Sequence, residues 1–333
     1  MIKLKTPRGL PVDVPENASE DPSPKFDLGE AEAIKRYYDL NGYVVVRRLL
    51  AETVCEAARD LWDSDVKPFG GFMYRQASAK VERHVLNDKG WVMNPILNIQ
   101  SLDPRPFARF RDYVTANVLT AARMSEAFFT LLGAAPKIVQ SMYFEGNSAT
   151  WEHQDSYYLD SETIGGMAAA WVAIEDIAPA AGRFFICPGS HRIKLDDHGL
   201  ENNIAENHET YIQSVVERIK RDKLPIRAPF LEAGDVLFWN ALTIHGSLDS
   251  QDAVHSRSSI TCHAIPRESK FLQWQTRISD VETTDINGVA VFRPKDLGKA
   301  KNRAVFAFES YLPKPFYWLK KRALVSMIRR KAA

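Results

Sequence analysis

Excess charge of either sign is what this 333-residue sequence lacks: 43 Lys and Arg stand against 42 Asp and Glu, a net charge of +1. Without a global field, nothing draws the chain to nucleic acid or holds it off anionic partners, so no nucleic-acid role is expected. Cysteine is scarce as well. Cys55, Cys187 and Cys262 are odd in number and far apart, which suits neither a disulfide framework nor a zinc ribbon and fits a reducing compartment. Long apolar runs are missing: no stretch approaches the roughly 20 residues that a membrane-crossing helix needs. The opening MIKLKTPRGLPVDVPENASEDPSP has no signal-peptide core. The expectation is a cytoplasmic protein. Internal repeats and low-complexity tracts are absent too.

What is present is apolar residue enough, 45% of the chain, to fill a real core. A single domain is expected over residues 27–315. Before it, residues 1–26 read as an extended arm that lies on the surface or is disordered; after it, residues 316–333 form a basic tail. Asp27 with Glu30 makes a capping-box-like start, and Ala31, Ile34 and Tyr38 recur at helical spacing until Asn41-Gly42. GYVVVRRLL then reads as a strand, and residues 51–66 as a second helix. A third, longer helix is expected after Pro104 and Pro106, its stripe of Phe107, Phe110, Val114, Val118, Ala121, Phe128 and Leu132 closing at Gly133.

From residue 137 the texture changes to short apolar runs separated by turn residues: KIVQSMYFEG, GGMAAAWVAIED, GRFFICPGSH, DVLFWNALTIH and RSSITCHAIP. Short strands without intervening helices favour a mostly β core with flanking helices, built as a barrel or double-sheet jelly roll, over a parallel α/β sheet. One segment departs from this. ENNIAENHETYIQSVVERIKRDK reads as helical, within an insertion at about residues 191–228.

The chemistry concentrates in WEHQDSYYLD, residues 151–160. In an extended strand, residues i and i+2 share a face, so His153 and Asp155 are able to aim an imidazole and a carboxylate into one cavity. The best third ligand is His245, at the end of another apolar run and followed by Gly246. Two histidines and one carboxylate on one side of an octahedral ion leave positions for a cosubstrate and O₂, which makes iron the leading metal. Arg257 lies a dozen residues beyond His245. Its planar fork suits a dicarboxylic cosubstrate.

Taken in order, WEHQDSYY, AAWVAIED, GRFFICPGSHR, AGDVLFWN, IHGS and the trailing arginine resemble the phytanoyl-CoA dioxygenase family of Fe(II)- and 2-oxoglutarate-dependent oxygenases. The resemblance covers about residues 137–266 and the NGYVVVRRLL stretch near residue 41. It implies a double-stranded β-helix, cupin-like in outline, with His153, Asp155 and His245 as iron ligands. It further implies that Arg257 holds the distal carboxylate of 2-oxoglutarate, that Ser247 adds a hydroxyl, and that Gln154 and Trp171 form the wall beside iron and cosubstrate. Gln140 and Tyr143 either complete that wall or pack in the core. One departure stands out: where many relatives carry Lys-Pro after the preceding strand, this chain has Glu145 and Gly146. The carboxylate at Asp155 favours hydroxylation over halogenation, since halogenating relatives have a small residue there.

The implied reaction consumes 2-oxoglutarate and O₂, releases succinate and CO₂, and hydroxylates an aliphatic C–H of a small or carrier-linked metabolite in a cavity closed to water. Same-family desaturation, epimerisation or ring closure is the alternative outcome, and a cupin-like metal-binding protein without oxygen chemistry is the other. Mobile cover is expected from residues 69–94 and from the insertion. In the first of these, Arg75, Arg83 and His84 either meet an anionic substrate or form a solvated basic loop. His191 reads as structural, and His198, His208 and His255 as exposed. His263 faces either the barrel interior or its outside. The basic tail PKPFYWLKKRALVSMIRRKAA docks on the body, on a second subunit or on a membrane surface, and the chain is expected as a monomer or homodimer.

Overall fold

The computed structural model describes residues 1–146, 149–193 and 204–331, with the side chains of all of these except 204–206 and 323–331. Nine strands make the principal sheet. In order across it run Thr283–Ile286, Val289–Phe292, Pro136–Phe144, Ser259–Pro266, Ala168–Ala173, Val236–Asn240, Tyr43–Val46 and Lys25–Phe26, with Ile96–Leu97 added alongside Pro136–Phe144. A three-stranded sheet of Phe184–Ile186, His245–Ser247 and Thr150–His153 lies opposite. Its Phe184 ring meets Trp171 and Trp239 of the principal sheet at 6.1 and 4.8 Å. This is the expected mostly β core with flanking helices, a double-stranded β-helix.

Alternation decides what each face covers. In Ala168–Ala173, the residues Ala168, Ala170 and Val172 pack beneath the helices, while Ala169, Trp171 and Ala173 turn inward with Tyr43, Val45, Leu237 and Trp239. Both faces are buried, so the strand reads as one unbroken apolar run. Helices α1 (Ala31–Asn41), α2 (Glu52–Leu61), α3 (Pro104–Val114) and α4 (Ala122–Leu132) form the outer layer. Helix α1 ends as expected at Gly42, whose φ of 76° is left-handed; a Cβ there would run into the His191 ring and Thr243.

Three expectations change. The long third helix is broken between α3 and α4 by a π-helical turn at Thr115–Leu119. The Thr115 hydroxyl donates back to the Arg111 carbonyl at 2.6 Å and the Thr120 hydroxyl to the Thr115 carbonyl at 2.8 Å. Such local bonds compete with the helical ladder, and Asn287 Nδ2 donates to the freed Ala116 carbonyl at 2.9 Å.

The arm is also more than an extended surface segment. Ile2–Lys5 and Pro11–Val14 pair as an antiparallel hairpin, and Lys25–Phe26 joins the principal sheet. Val12 and Val14 pack on Phe185, Ala228 and Leu248, which explains why the hairpin is held down.

The C-terminal part adds two strands that sequence pattern did not reveal, Thr283–Ile286 and Val289–Phe292, and then helices α6 (Ala300–Tyr311) and α7 (Pro313–Lys331). The insertion contains helix α5 (Ile204–Asp222). Its first part, including His198, lies outside the described residues.

Candidate metal centre

His153 and His245 arrive from neighbouring antiparallel strands and are direct partners in the register. Their rings are 4.3 Å apart. Each Nδ1 sits 2.8 Å from a backbone carbonyl two residues back, Trp151 O for His153 and Thr243 O for His245. With Nδ1–H donated in this way, each Nε2 lone pair is turned inward, the arrangement that metal-binding histidines require. Asp155 is not itself in the strand. Gln154 is the last extended residue, and Asp155 opens a 3₁₀ turn, Asp155–Tyr157, that swings its carboxylate between the two imidazoles.

Asp155 Oδ1 lies 3.7 Å from His153 Nε2 and 3.5 Å from His245 Nε2. All three ligand atoms fall within 4.8 Å of one another. Gly246 makes room for this pairing, since a side chain there would strike the Thr150 carbonyl and the Phe185 ring.

The other carboxylate oxygen is held from behind. Trp239 Nε1 donates to Asp155 Oδ2 at 2.8 Å, and His263 Nε2 stands 3.4 Å from the same atom. His263 therefore faces the interior, which its sequence position left open. Burial works against ionisation of Asp155. The surrounding histidines, His245 and His263 and then His153, outweigh it and hold the carboxyl well below its ordinary range. Burial, and then the neighbouring His245, lower the His153 pKa and favour the neutral imidazole. Anionic carboxylate plus neutral imidazoles is the donor set a ferrous ion takes.

Arg257 supplies the second half of the site. It is 2% exposed and has no carboxylate partner among the described residues; Nη1 donates to the Gly182 carbonyl at 3.1 Å, and Nε makes no hydrogen bond. The guanidinium lies over Phe144 and Trp171, 5.3 and 5.8 Å from their ring centres. Burial pulls its pKa down to about 9. An enclosed cation that lacks an anion, a few strands from a metal-ligand set, fits the distal carboxylate of a dicarboxylic cosubstrate. Ser247 Oγ accepts the Thr150 N–H at 2.9 Å on the strand between His245 and that pocket.

The wall residues divide. Trp171 is buried on the inner face beside Arg257, and Gln140 is paired with His263 and shares its inward face. Gln154 is buried, but its side chain turns away to donate to the Leu242 carbonyl at 2.6 Å. Tyr143 is on the opposite face of its strand, stacked on Trp62 at 4.1 Å under the helices. The reason is parity, since residues three apart on a strand point to opposite sides.

Arg75, Arg83 and His84 are bonded to nearby backbone. Arg75 is fully buried, its guanidinium bonded to the Asn94 and Glu82 carbonyls and 3.1 Å from His84 Nδ1. Arg83 donates to the Gly70 carbonyl at 2.6 Å, and His84 Nε2 meets the Val66 carbonyl at 3.0 Å. These three residues hold the segment's own backbone together.

Two features escaped sequence reasoning. Glu145, at the departure from the family pattern, is buried and accepts from Lys67 Nζ at 2.7 Å, Trp62 Nε1 at 3.0 Å and the Val92 N–H at 2.7 Å. It ties segment 62–92 to the strand end beside Arg257, whose own N–H meets the Glu145 carbonyl at 2.6 Å. The second feature is α5. Its Tyr211 hydroxyl accepts the Gln154 N–H at 2.8 Å and donates to the Gln154 carbonyl at 3.2 Å, and its ring stacks on Tyr157 at 3.6 Å. His208 of α5, expected to be exposed, is half-buried and pairs with the Tyr158 hydroxyl at 2.7 Å.

Comparison with known proteins agrees with this geometry. The model for the family described as phytanoyl-CoA dioxygenase (PhyH) matches residues 38–257. The peroxisomal phytanoyl-CoA dioxygenase of Bos taurus is 22% identical over 244 residues, covering 69% of this chain and 66% of that protein, just under two thirds of its length. Among solved structures, EctD from S. alaskensis superposes with a TM-score of 0.54 at 18% identity, covering 84% of this chain and 95% of that one. The epimerase SnoN, crystallised with Fe3+, alpha ketoglutarate and nogalamycin RO, gives 0.53 at 18% identity, covering 79% and 99%. These structural likenesses establish the shared fold.

Proposed function

Because the chain belongs to the phytanoyl-CoA dioxygenase family of Fe(II)- and 2-oxoglutarate-dependent oxygenases, we propose that it hydroxylates an aliphatic C–H of a small or carrier-linked metabolite, with succinate and CO₂ as coproducts. The observation that carries this reading is the pairing of two elements. A His153–Asp155–His245 ligand set is accompanied by a buried guanidinium, Arg257, that has no carboxylate partner among the described residues. A cupin-like metal protein without oxygen chemistry has no use for the second element.

His153, Asp155 and His245 would hold the iron, which when bound supplies the oxidative chemistry of the reaction. Trp239 and His263 restrain Asp155 Oδ2, so that Oδ1 is the oxygen presented to the metal. Arg257 takes the distal carboxylate of 2-oxoglutarate, Ser247 adds a hydroxyl, and Trp171 with Phe144 walls the seat against water. Gln140, on the inward face beside His263, is placed to meet cosubstrate or substrate. Desaturation, epimerisation or ring closure by the same site would differ in product and not in these contacts.

The test is anaerobic reconstitution with Fe(II) and 2-oxoglutarate, followed by O₂ and a metabolite pool, with succinate and oxidised products measured by mass spectrometry. Succinate and a product 16 mass units heavier than its precursor, both absent with His153→Ala, are expected from hydroxylation. Succinate no higher than in that variant would sink the oxygenase reading, and a product two mass units lighter would replace hydroxylation with desaturation or ring closure.

A further inference from the structure

The chain's near-neutral total conceals a strongly uneven end. From Ser310 to Ala333 there are seven cations, Lys314, Lys320, Lys321, Arg322, Arg329, Arg330 and Lys331, and no Asp or Glu. The rest of the chain carries 36 Lys and Arg against 42 Asp and Glu, so the positive excess lies at this end.

That place is built on an anchored helix pair. Glu309 of α6 is buried and accepts the Tyr317 hydroxyl of α7 at 2.6 Å and the Tyr74 hydroxyl at 3.4 Å. Phe316 packs edge-on against Phe308 at 5.5 Å, and Tyr311 against Phe72 at 5.7 Å. The first turns of α7 are thus fixed to the body through Phe316 and Tyr317. The side chains around these anchors are exposed. Tyr311 is 75% exposed, Leu312 55%, Trp318 53% and Leu319 47%, and Lys314, Lys320, Lys321 and Arg322 are exposed around them. Arg322 lies 4.0 Å over the Trp318 ring, one helical turn away.

We propose that the outer face of α6 and α7 docks on an anionic lipid surface. Three arguments select that occupant. Exposed Trp and Tyr beside Leu, ringed by Lys and Arg, is the side-chain set that settles at the headgroup boundary, where amphipathic rings and cations are both satisfied. Segregated positive charge with no acidic residue matches the negative potential of such a surface. A second copy is disfavoured by symmetry: an isologous dimer through this face would bring the same unbalanced cations together. No described helix is long and apolar enough to cross a membrane, so the contact is peripheral. Its consequence is orientation. Tyr74, Lys80 and Phe72 of the segment tied to Glu145 touch this same helix pair, so the surface holds the molecule by the side of that segment.

The inference is independent of the reaction and is tested on the full-length, metal-free protein. Partition is measured by co-sedimentation with phosphatidylcholine vesicles containing none or about one third phosphatidylglycerol, at low and at high salt. Binding to the anionic vesicles is expected to be at least about tenfold stronger, and to weaken with salt as exposed charges are screened. The triple variant Lys314→Glu, Lys321→Glu, Arg322→Glu should lose it while keeping the wild-type circular dichroism and melting temperature. Trp318→Ser should weaken binding to the same vesicles severalfold. Equal partition of the wild type on both vesicle types overturns the proposal. So does a concentration-dependent dimer that Trp318→Ser dissociates, because the face would then belong to a second copy.

Discussion

Arg257 buries a charge that has, among the described residues, one carbonyl and two aromatic faces for company. A buried cation left without an anion costs stability until a ligand supplies one. Arg257→Met is therefore expected to leave the metal-free protein at least as stable as the wild type in thermal melts, and to abolish the further rise in Tm on adding 2-oxoglutarate to the metal-loaded form. A fall of many degrees in the metal-free variant would show that Arg257 is a packing residue instead. At this same scale the sequence marks the ligand set more sharply than its neighbours. His153 with Asp155 and His245 with Arg257 stand out in the sequence because each pair lies at a short spacing in residue types that the chemistry calls for, while only the fold joins the two pairs. The sequence leaves Gln140 and Tyr143 open between wall and core, and their separation of three places them on opposite faces of a strand. His263 was ambiguous from sequence and is decided by the register that sets it opposite Gln140.

Elements show where the site gets its rigidity. Helix α5 belongs to an insertion, yet Tyr211 closes two hydrogen bonds on Gln154, the residue between two of the metal ligands. Tyr211→Phe keeps the stack on Tyr157 and removes both bonds. The expected loss is about 1–2 kcal/mol in urea unfolding, with a severalfold weaker affinity for Co(II) as a spectroscopic stand-in for iron. An unchanged affinity would mean that α5 covers the site without positioning it. Sequence periodicity found this helix but not its role, since a tyrosine on an apolar helical stripe looks the same whether or not its hydroxyl has a distant target. The broken third helix is a similar case. Its stripe continues at helical spacing past Thr115 and Thr120, and only the hydroxyl bonds and Asn287 reveal the interruption.

For the molecule as a whole, the metal site joins parts distant along the chain. The arm reaches it through Thr6, whose hydroxyl donates to the buried Glu152 beside His153, and Arg8 pairs with Glu209 of α5 at 2.7 Å. Binding at a junction of this kind stabilises the fold by mass action. At ligand about a hundredfold above its dissociation constant the gain is ~2.7 kcal/mol, which corresponds to a rise of roughly 5 °C in Tm for a chain of this size. Anaerobic Fe(II) with 2-oxoglutarate should give that rise, and a chelator should reverse it. Absence of any shift with His153, Asp155 and His245 intact would speak against a shared metal.

The sequence by itself determined the alternating apolar runs of the β core, the ligand types and the basic end of the chain, because each is a local pattern imposed by side-chain period or by charge. Only the tertiary structure decided that Arg257 has no carboxylate partner among the described residues, that Glu145 fastens a loop, and that Arg75, Arg83 and His84 bond nearby backbone carbonyls. Those outcomes depend on which buried donor meets which acceptor across as many as 83 residues of chain, and hydrogen bonds at that range leave no periodic mark in the order of the amino acids.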